Sequence, residues 1–228
     1  LRYNSLLYTT DFASAVKGIT ELERFGTLYV AAGTNGDGSR EKPLGNLADA
    51  VRQLADGGGD IMIVGNYTAK NFTEPAHAQP ITYRGDRLQI DGDFTTGGAV
   101  TFDAVTLAGN GTIACGAHTA VVTAQCASVG ALSLTGDDLM VAGGHFASLT
   151  GSRLTLTGGT LDAATLAGNA ALVQNGGSIT SLTLTGKTVS VELLGGSVGK
   201  MQVQNITDRF CLTLGSGSLA SFMVQNCN

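Results

Sequence analysis

The sequence predicts a parallel β-helix, a coil of short strands stacked rung upon rung. Three observations carry this: one phrase recurs at rung spacing, apolar and small polar residues alternate within it, and the chain is rich in Gly (33) with no Trp. The phrase is Gly177-Ser178-Ile179-Thr180-Ser181-Leu182-Thr183-Leu184, with copies beginning at Gly159, Gly196 and Gly217 and a weaker one at Gly144. From Gly144 to Gly217 these anchor glycines lie about 15, 18, 19 and 21 residues apart, the range of a solenoid rung. Each unit cannot bury its apolar face alone and must stack on its neighbours.

Alternation such as Leu182-Thr183-Leu184 or Leu154-Thr155-Leu156 puts Leu inward and Thr outward on a strand. The spacing is too short for paired helices, and the Asn-centred consensus of leucine-rich repeats is missing. Val-Gln-Asn returns at 173–175, 203–205 and 224–226, and Thr-Leu-Ala-Gly-Asn at 106–110 and 165–169. Asn tolerates the left-handed conformation, so stacked Asn corners are expected. Roughly seven rungs after residue 90 would make a rod on the order of 35 Å long. Leu154, Leu156, Leu166, Leu182, Leu184, Met201, Val203, Phe222 and Val224 are the expected buried columns. The pattern runs to Asn228 without a polar cap, so Phe222 to Asn226 should form an exposed edge and favour end-to-end self-association.

Taken in order, residues 1–26 form a lead-in segment, 27–93 the cap and first rungs, and 94–228 the repetitive coil. Thr10-Asp11 can start a short helix on which Phe12, Val16, Ile19 and Leu22 share a face. Thr27 to Val30 reads as a strand, and Gly33 to Ser39 as a loop. Asn46 can cap a helix with Leu47, Val51 and Leu54 on one side, ended by Gly57-Gly58-Gly59. Ile61 to Val64 reads as a buried strand, and Gly65-Asn66-Tyr67-Thr68 as a turn. Residues 1–100 hold 21 charged side chains and residues 101–228 only 10, so the coil proper is nearly uncharged.

Across Thr27 to Thr68 the chain resembles the opening of pectate-lyase-like right-handed parallel β-helix proteins. The matching pieces are Leu28-Tyr29-Val30, Gly36-Asp37-Gly38, Lys42-Pro43-Leu44, Leu47-Ala48-Asp49-Ala50-Val51, Gly59-Asp60-Ile61-Met62-Ile63-Val64 and Gly65-Asn66-Tyr67. Gly45-Asn46 departs from the Ser or Thr more usual before the helix. The resemblance implies a right-handed, single-stranded coil plugged by an N-terminal helical cap. It further implies a secreted or cell-surface bacterial protein, among carbohydrate-associated enzymes and adhesin-like segments.

Candidate chemistry is sparse. A lyase needs a base and cations for the uronate, and a hydrolase needs paired carboxylates. The outward column is read as Thr106, Ser133, Thr165, Thr183, Gln202 and Met223, with Lys200 the one charge beside it. If the chain is an enzyme, the candidates are Arg84, Asp86, Arg87, Asp91 and Asp93, with Asp91 and Asp93 on one face of an extended segment. Asp137-Asp138 and the Arg84-Gly85-Asp86 tripeptide read as solvated turns. His77, His118 and His145 read as scattered, each without a Cys, Asp or Glu at ligand spacing. Cys115, Cys126, Cys211 and Cys227 fit no metal spacing and read as small core residues, with a Cys211–Cys227 disulfide as the alternative. No metal or cofactor is expected. A net charge of −5 argues against a nucleic-acid partner, and no run of 18 apolar residues offers a membrane span.

These readings lead to a non-catalytic, extracellular or cell-surface module that displays or binds, toward glycans or neighbouring surface proteins. The alternatives are a polysaccharide lyase or glycoside hydrolase and, more remotely, an ice-binding solenoid built on Thr-Leu-Thr at 155–157 and 183–185.

Overall fold

A computed structural model describes residues 26–227, so the helix expected after Asp11 lies outside the described residues. The coil opens with β1 (Thr27–Ala31), α1 (Leu47–Leu54), β2 (Gly59–Thr73) and β3 (Ile81–Thr95). Short strands follow: β4 (Val100–Phe102), β5 (Thr106–Gly109), β6 (Thr112–Ala114), β7 (Thr119–Val122) and β8 (Ala127–Val129). The last rungs run in long strands that wrap the corners: β9 (Ser133–Val141), β10 (His145–Leu156), β11 (Thr160–Gln174), β12 (Ser178–Leu193), β13 (Ser197–Leu214) and β14 (Ser218–Gln225). All ladders are parallel, and together they make a solenoid of about 9 turns. At roughly 4.8 Å per rung the rod is on the order of 40 Å long.

Register turns the repeat into columns. One interior column climbs Leu28, Ile61, Tyr83, Phe102, Val122, Val141, Leu156, Gln174, Leu193 and Leu214. A second climbs Phe72, Phe94, Ile113, Leu134, Leu149, Ala164, Leu182, Met201 and Phe222. The first rungs are wide enough for aromatic rings: Tyr83 stacks on Phe102 at 5.5 Å and meets Phe94 edge-on at 5.7 Å. Higher rungs fill the same space chiefly with aliphatic side chains, apart from Gln174 in the first column and Phe222 at the top of the second, which stacks on Phe210 at 5.9 Å.

The anchor phrase stacks in register: His145, Thr160, Ser178, Ser197 and Ser218 form one column. Corner glycines explain its start. Gly177 has φ +67, and a Cβ there would meet the Gly159 carbonyl oxygen at 2.6 Å. Only Gly accepts both the left-handed turn and that approach.

Helix α1 fills the long first turn, packing on β1 and β2 with Leu47, Ala50, Val51 and Leu54 buried. The Asn46 side chain caps it, accepting from the Ala48 N–H at 2.9 Å, and the Tyr67 hydroxyl accepts from the Leu47 N–H at 3.0 Å.

Four expectations are corrected. Phe222 is 46% exposed and Val224 52%, although both occupy interior columns, because no further rung covers them among the described residues. The other seven residues of the expected core are buried. Gly65 to Thr68 is not a separate turn: β2 runs through it, bent at Gly65 (φ +68), and Val64 is exposed there. The Val-Gln-Asn copies are not equivalent. Val203-Gln204 lies on Val224-Gln225, whereas Gln174 sits in the core between Leu156 and Leu193. Cys211 is exposed and inside β13 rather than in the core; all four cysteines are free, with Cys115 and Cys126 buried.

Candidate functional site

Among the described residues the exterior charges gather on the N-terminal rungs. Arg84 projects from β3 and bridges two carboxylates of adjacent rungs, Nε lying 3.3 Å from Asp60 and a terminal nitrogen 2.9 Å from Asp103. Asp103 also accepts from the Thr123 hydroxyl at 2.6 Å, so the ladder spans four rungs. Stacking explains it: Asp60 precedes Ile61, while Arg84, Asp103 and Thr123 follow Tyr83, Phe102 and Val122 of one interior column. Beyond Thr123 the same face becomes a shallow depression of about 200 Å³ lined by Val121, Met140, Ala142, Thr155 and Thr157.

The other expected site residues are not brought to Arg84. The Asp86 carboxylate accepts from the Gly65 N–H at 2.7 Å and so closes the corner. Arg87 reaches Gln89 at 3.4 Å, one column away. Asp91 faces Lys70 at 4.0 Å, with both side chains exposed. Asp93 begins the next face, where it registers with Thr112. The expectation that Asp91 and Asp93 share an extended face is overturned: Gly92 between them has φ +83, which turns the chain there. Asp138 is neutralised by Arg153 at 3.3 Å.

Two histidines had carboxylate partners that the spacing argument missed. His145 Nε2 lies 2.9 Å from Asp162 of the next rung, on the surface. His77 is buried, its Nε2 lying 3.1 Å from Glu74 and its Nδ1 2.8 Å from the Gln79 carbonyl. Glu74 also accepts from the Tyr83 hydroxyl and from the Gly97 N–H at 2.8 Å. Burial, then the Glu74 charge, holds the Tyr83 hydroxyl well above its ordinary range. The sequence signal was Glu74 three residues before His77, with Tyr83 at an inward position of the next strand between Ile81 and Leu88.

The hydroxyl face also needs correction. Thr106 does not belong with Thr165; it registers with Arg87 and Ala127. The observed outward column is Thr73, Thr95, Ala114, Thr135, Thr150, Thr165, Thr183, Gln202 and Met223. Beside it run Thr112, Ser133, Ser148, Ala163, Ser181, Lys200 and Ser221. Ser148 donates to the Ser133 hydroxyl at 2.7 Å. Thr155 lies on a different face from Thr183, so the two Thr-Leu-Thr triplets do not stack.

Among the described residues no group of three or more His, Cys, Asp or Glu is placed to hold a metal ion, and no helix is long and apolar enough to cross a membrane. No protein-family profile, no curated protein and no solved structure matches this chain.

Proposed function

We propose that this chain is a non-catalytic, extracellular or cell-surface β-solenoid module whose uncharged outward face binds glycans or neighbouring surface proteins. The observation that supports it is the paired column from Thr112 and Ala114 up to Ser181 and Thr183, which carries no ionisable group over five rungs. Rungs roughly 4.8 Å apart present a regular row of hydroxyls that can both donate and accept toward a sugar or a peptide edge. The Arg84 guanidinium is already shared by two carboxylates, which leaves it poorly placed to neutralise a uronate. Among the described residues no rung covers β14, and its exposed Phe222 and Val224, with Leu214 of β13, offer an apolar surface for end-to-end pairing with a second copy. Binding is tested on an array of microbial and host glycans with the wild type and with Thr150→Lys and Thr165→Lys. The reading expects retention that both variants lose with the fold intact. Binding indifferent to both would refute this face as the site.

A second reading, a polysaccharide lyase or glycoside hydrolase, is favoured by the Asp60–Arg84–Asp103 cluster beside a depression. Its test is turnover of uronate and neutral polysaccharides, followed as unsaturated product and reducing ends. Turnover lost in Asp103→Ala and Asp60→Ala would replace the module reading with an enzyme.

A further inference from the structure

We infer that Glu74 and His77 form a buried, protonated clasp that pins the β2–β3 loop, and that the loop is released as pH rises. Donors and acceptors around the two side chains fix where the proton sits. Both side chains are wholly buried. His77 Nδ1 faces a backbone carbonyl, Gln79 O at 2.8 Å, which can only accept, so Nδ1 carries a proton. Nε2 faces Glu74 Oε2 at 3.1 Å. That carboxylate already takes the Tyr83 hydroxyl on one oxygen and the Gly97 N–H on the other. A neutral imidazole would turn a lone pair toward it. An imidazolium satisfies every group at once, making Glu74 a three-donor acceptor and His77 a two-sided donor.

The clasp sits where it can act on the fold. The same loop hydrogen-bonds to the C-cap of α1 through Ala78 N–H to Ala55 O at 3.0 Å, and to the next rung through His77 N–H to Gly97 O at 3.3 Å. Gly97 and Gly98 leave room for it: a Cβ on Gly98 would meet the His77 ring at 2.6 Å. Losing the proton therefore loosens the contact between the helical cap and the second and third rungs. Among the described residues few other titrating groups face the pair. Tyr83 of β3 and Cys115 after β6 are the neighbours, and Tyr67 of β2 acts on Tyr83. Tyr83 is held well above 10, and burial pushes Cys115 up to about 12, so neither titrates near neutrality.

The direction follows from linkage. The hydrogen bond to Glu74, working against desolvation, raises the His77 pKa above 6.5. A group whose folded pKa is raised contributes stability fully present below its free value and lost as pH climbs through the folded value. Between the two, the closed loop holds one proton more than the open loop. The opening constant then rises about tenfold per pH unit, and it is flat outside that window.

The test uses the intact chain, labelled with ¹⁵N, from pH 5 to 9. Long-range ring correlations should show both His77 nitrogens protonated at pH 6.5, with titration above that. Amide exchange at His77 and Ala78 should lose protection beyond the intrinsic base-catalysed rise of an unstructured peptide. In Glu74→Gln the His77 titration should move down, and in His77→Gln the pH slope of loop protection should vanish. A neutral His77 ring at pH 6 in the wild type, or loop protection independent of pH, would overturn the inference whether or not the variants fold.

Discussion

Leu184 and Val224 share a column but differ in depth, and this separates stacking from sequence as the source of stability. The column runs Gly151, Leu166, Leu184, Val203 and Val224. Leu184 is 0% exposed between two rungs, whereas Val224 is 52% exposed on the last described one. Leu184→Ala removes three carbons from a full interior. At about 0.8 kcal/mol per carbon the transfer loss is about 2.4 kcal/mol. The cavity left behind brings the total to about 3–5 kcal/mol. Val224→Ala removes two carbons that are half in water already, for about 0.8 kcal/mol. The assay is urea unfolding followed by far-ultraviolet circular dichroism, compared at equal m so that the midpoint shift reads stability. Equal losses for the two variants, or a Leu184→Ala loss under about 1 kcal/mol, would refute the argument that covered rungs carry the energy.

Further outcomes are expected. Gly177→Ala should destabilise by about 1–3 kcal/mol, since it forces a Cβ into a left-handed corner already closed by the Gly159 carbonyl; a neutral result in thermal melts would contradict the corner geometry. Gln174→Leu should lie within about 1.5 kcal/mol of wild type. Its amide donates to Gly177 O and Ser197 O, but its Oε1 is buried without a partner, and Leu matches the column. A loss larger than that would show the amide to be an essential staple of the corner. A thiol reagent under native conditions should label exposed Cys211 and spare Cys126, whose thiol burial pushes up to about 12. Mass mapping of the modified peptides reads this directly.

What the sequence revealed was what period alone controls. Apolar alternation marks which strand residues face inward, so the anchor phrase and seven of nine core positions could be read without coordinates. The helix was legible because Asn46 and the Leu47–Val51–Leu54 stripe are local signals. Rung registration is not local. Thr106-Leu107-Ala108-Gly109-Asn110 and its copy at 165 satisfy the same alternation, yet corner bends at glycines such as Gly92 and Gly109 place them on different faces. The outward column was therefore drawn wrongly: its six residues do point out, but Ala108, read as an outward neighbour of Thr106, is buried.

The candidate sites failed in the sequence for the same reason. Asp60, Arg84, Asp103 and Thr123 lie 19 to 24 residues apart, one turn each, and no short motif spans such a gap. A solenoid builds its surface chemistry down columns rather than along the chain, so functional groups should be sought at the rung period. Applied to the charged residues, that rule gathers the Asp60–Arg84–Asp103 cluster on one face of the first rungs, and it shows the hydroxyl column, on a different face, to be bare of charge from Thr112 up to Lys200. The two regions are chemically distinct, and they divide the two readings of function. If the face binds and the cluster only braces, removing Arg84 should cost about 1 kcal/mol of salt-sensitive stability and leave binding untouched. Loss of binding in Arg84→Met, with stability preserved, would move the site to the ladder.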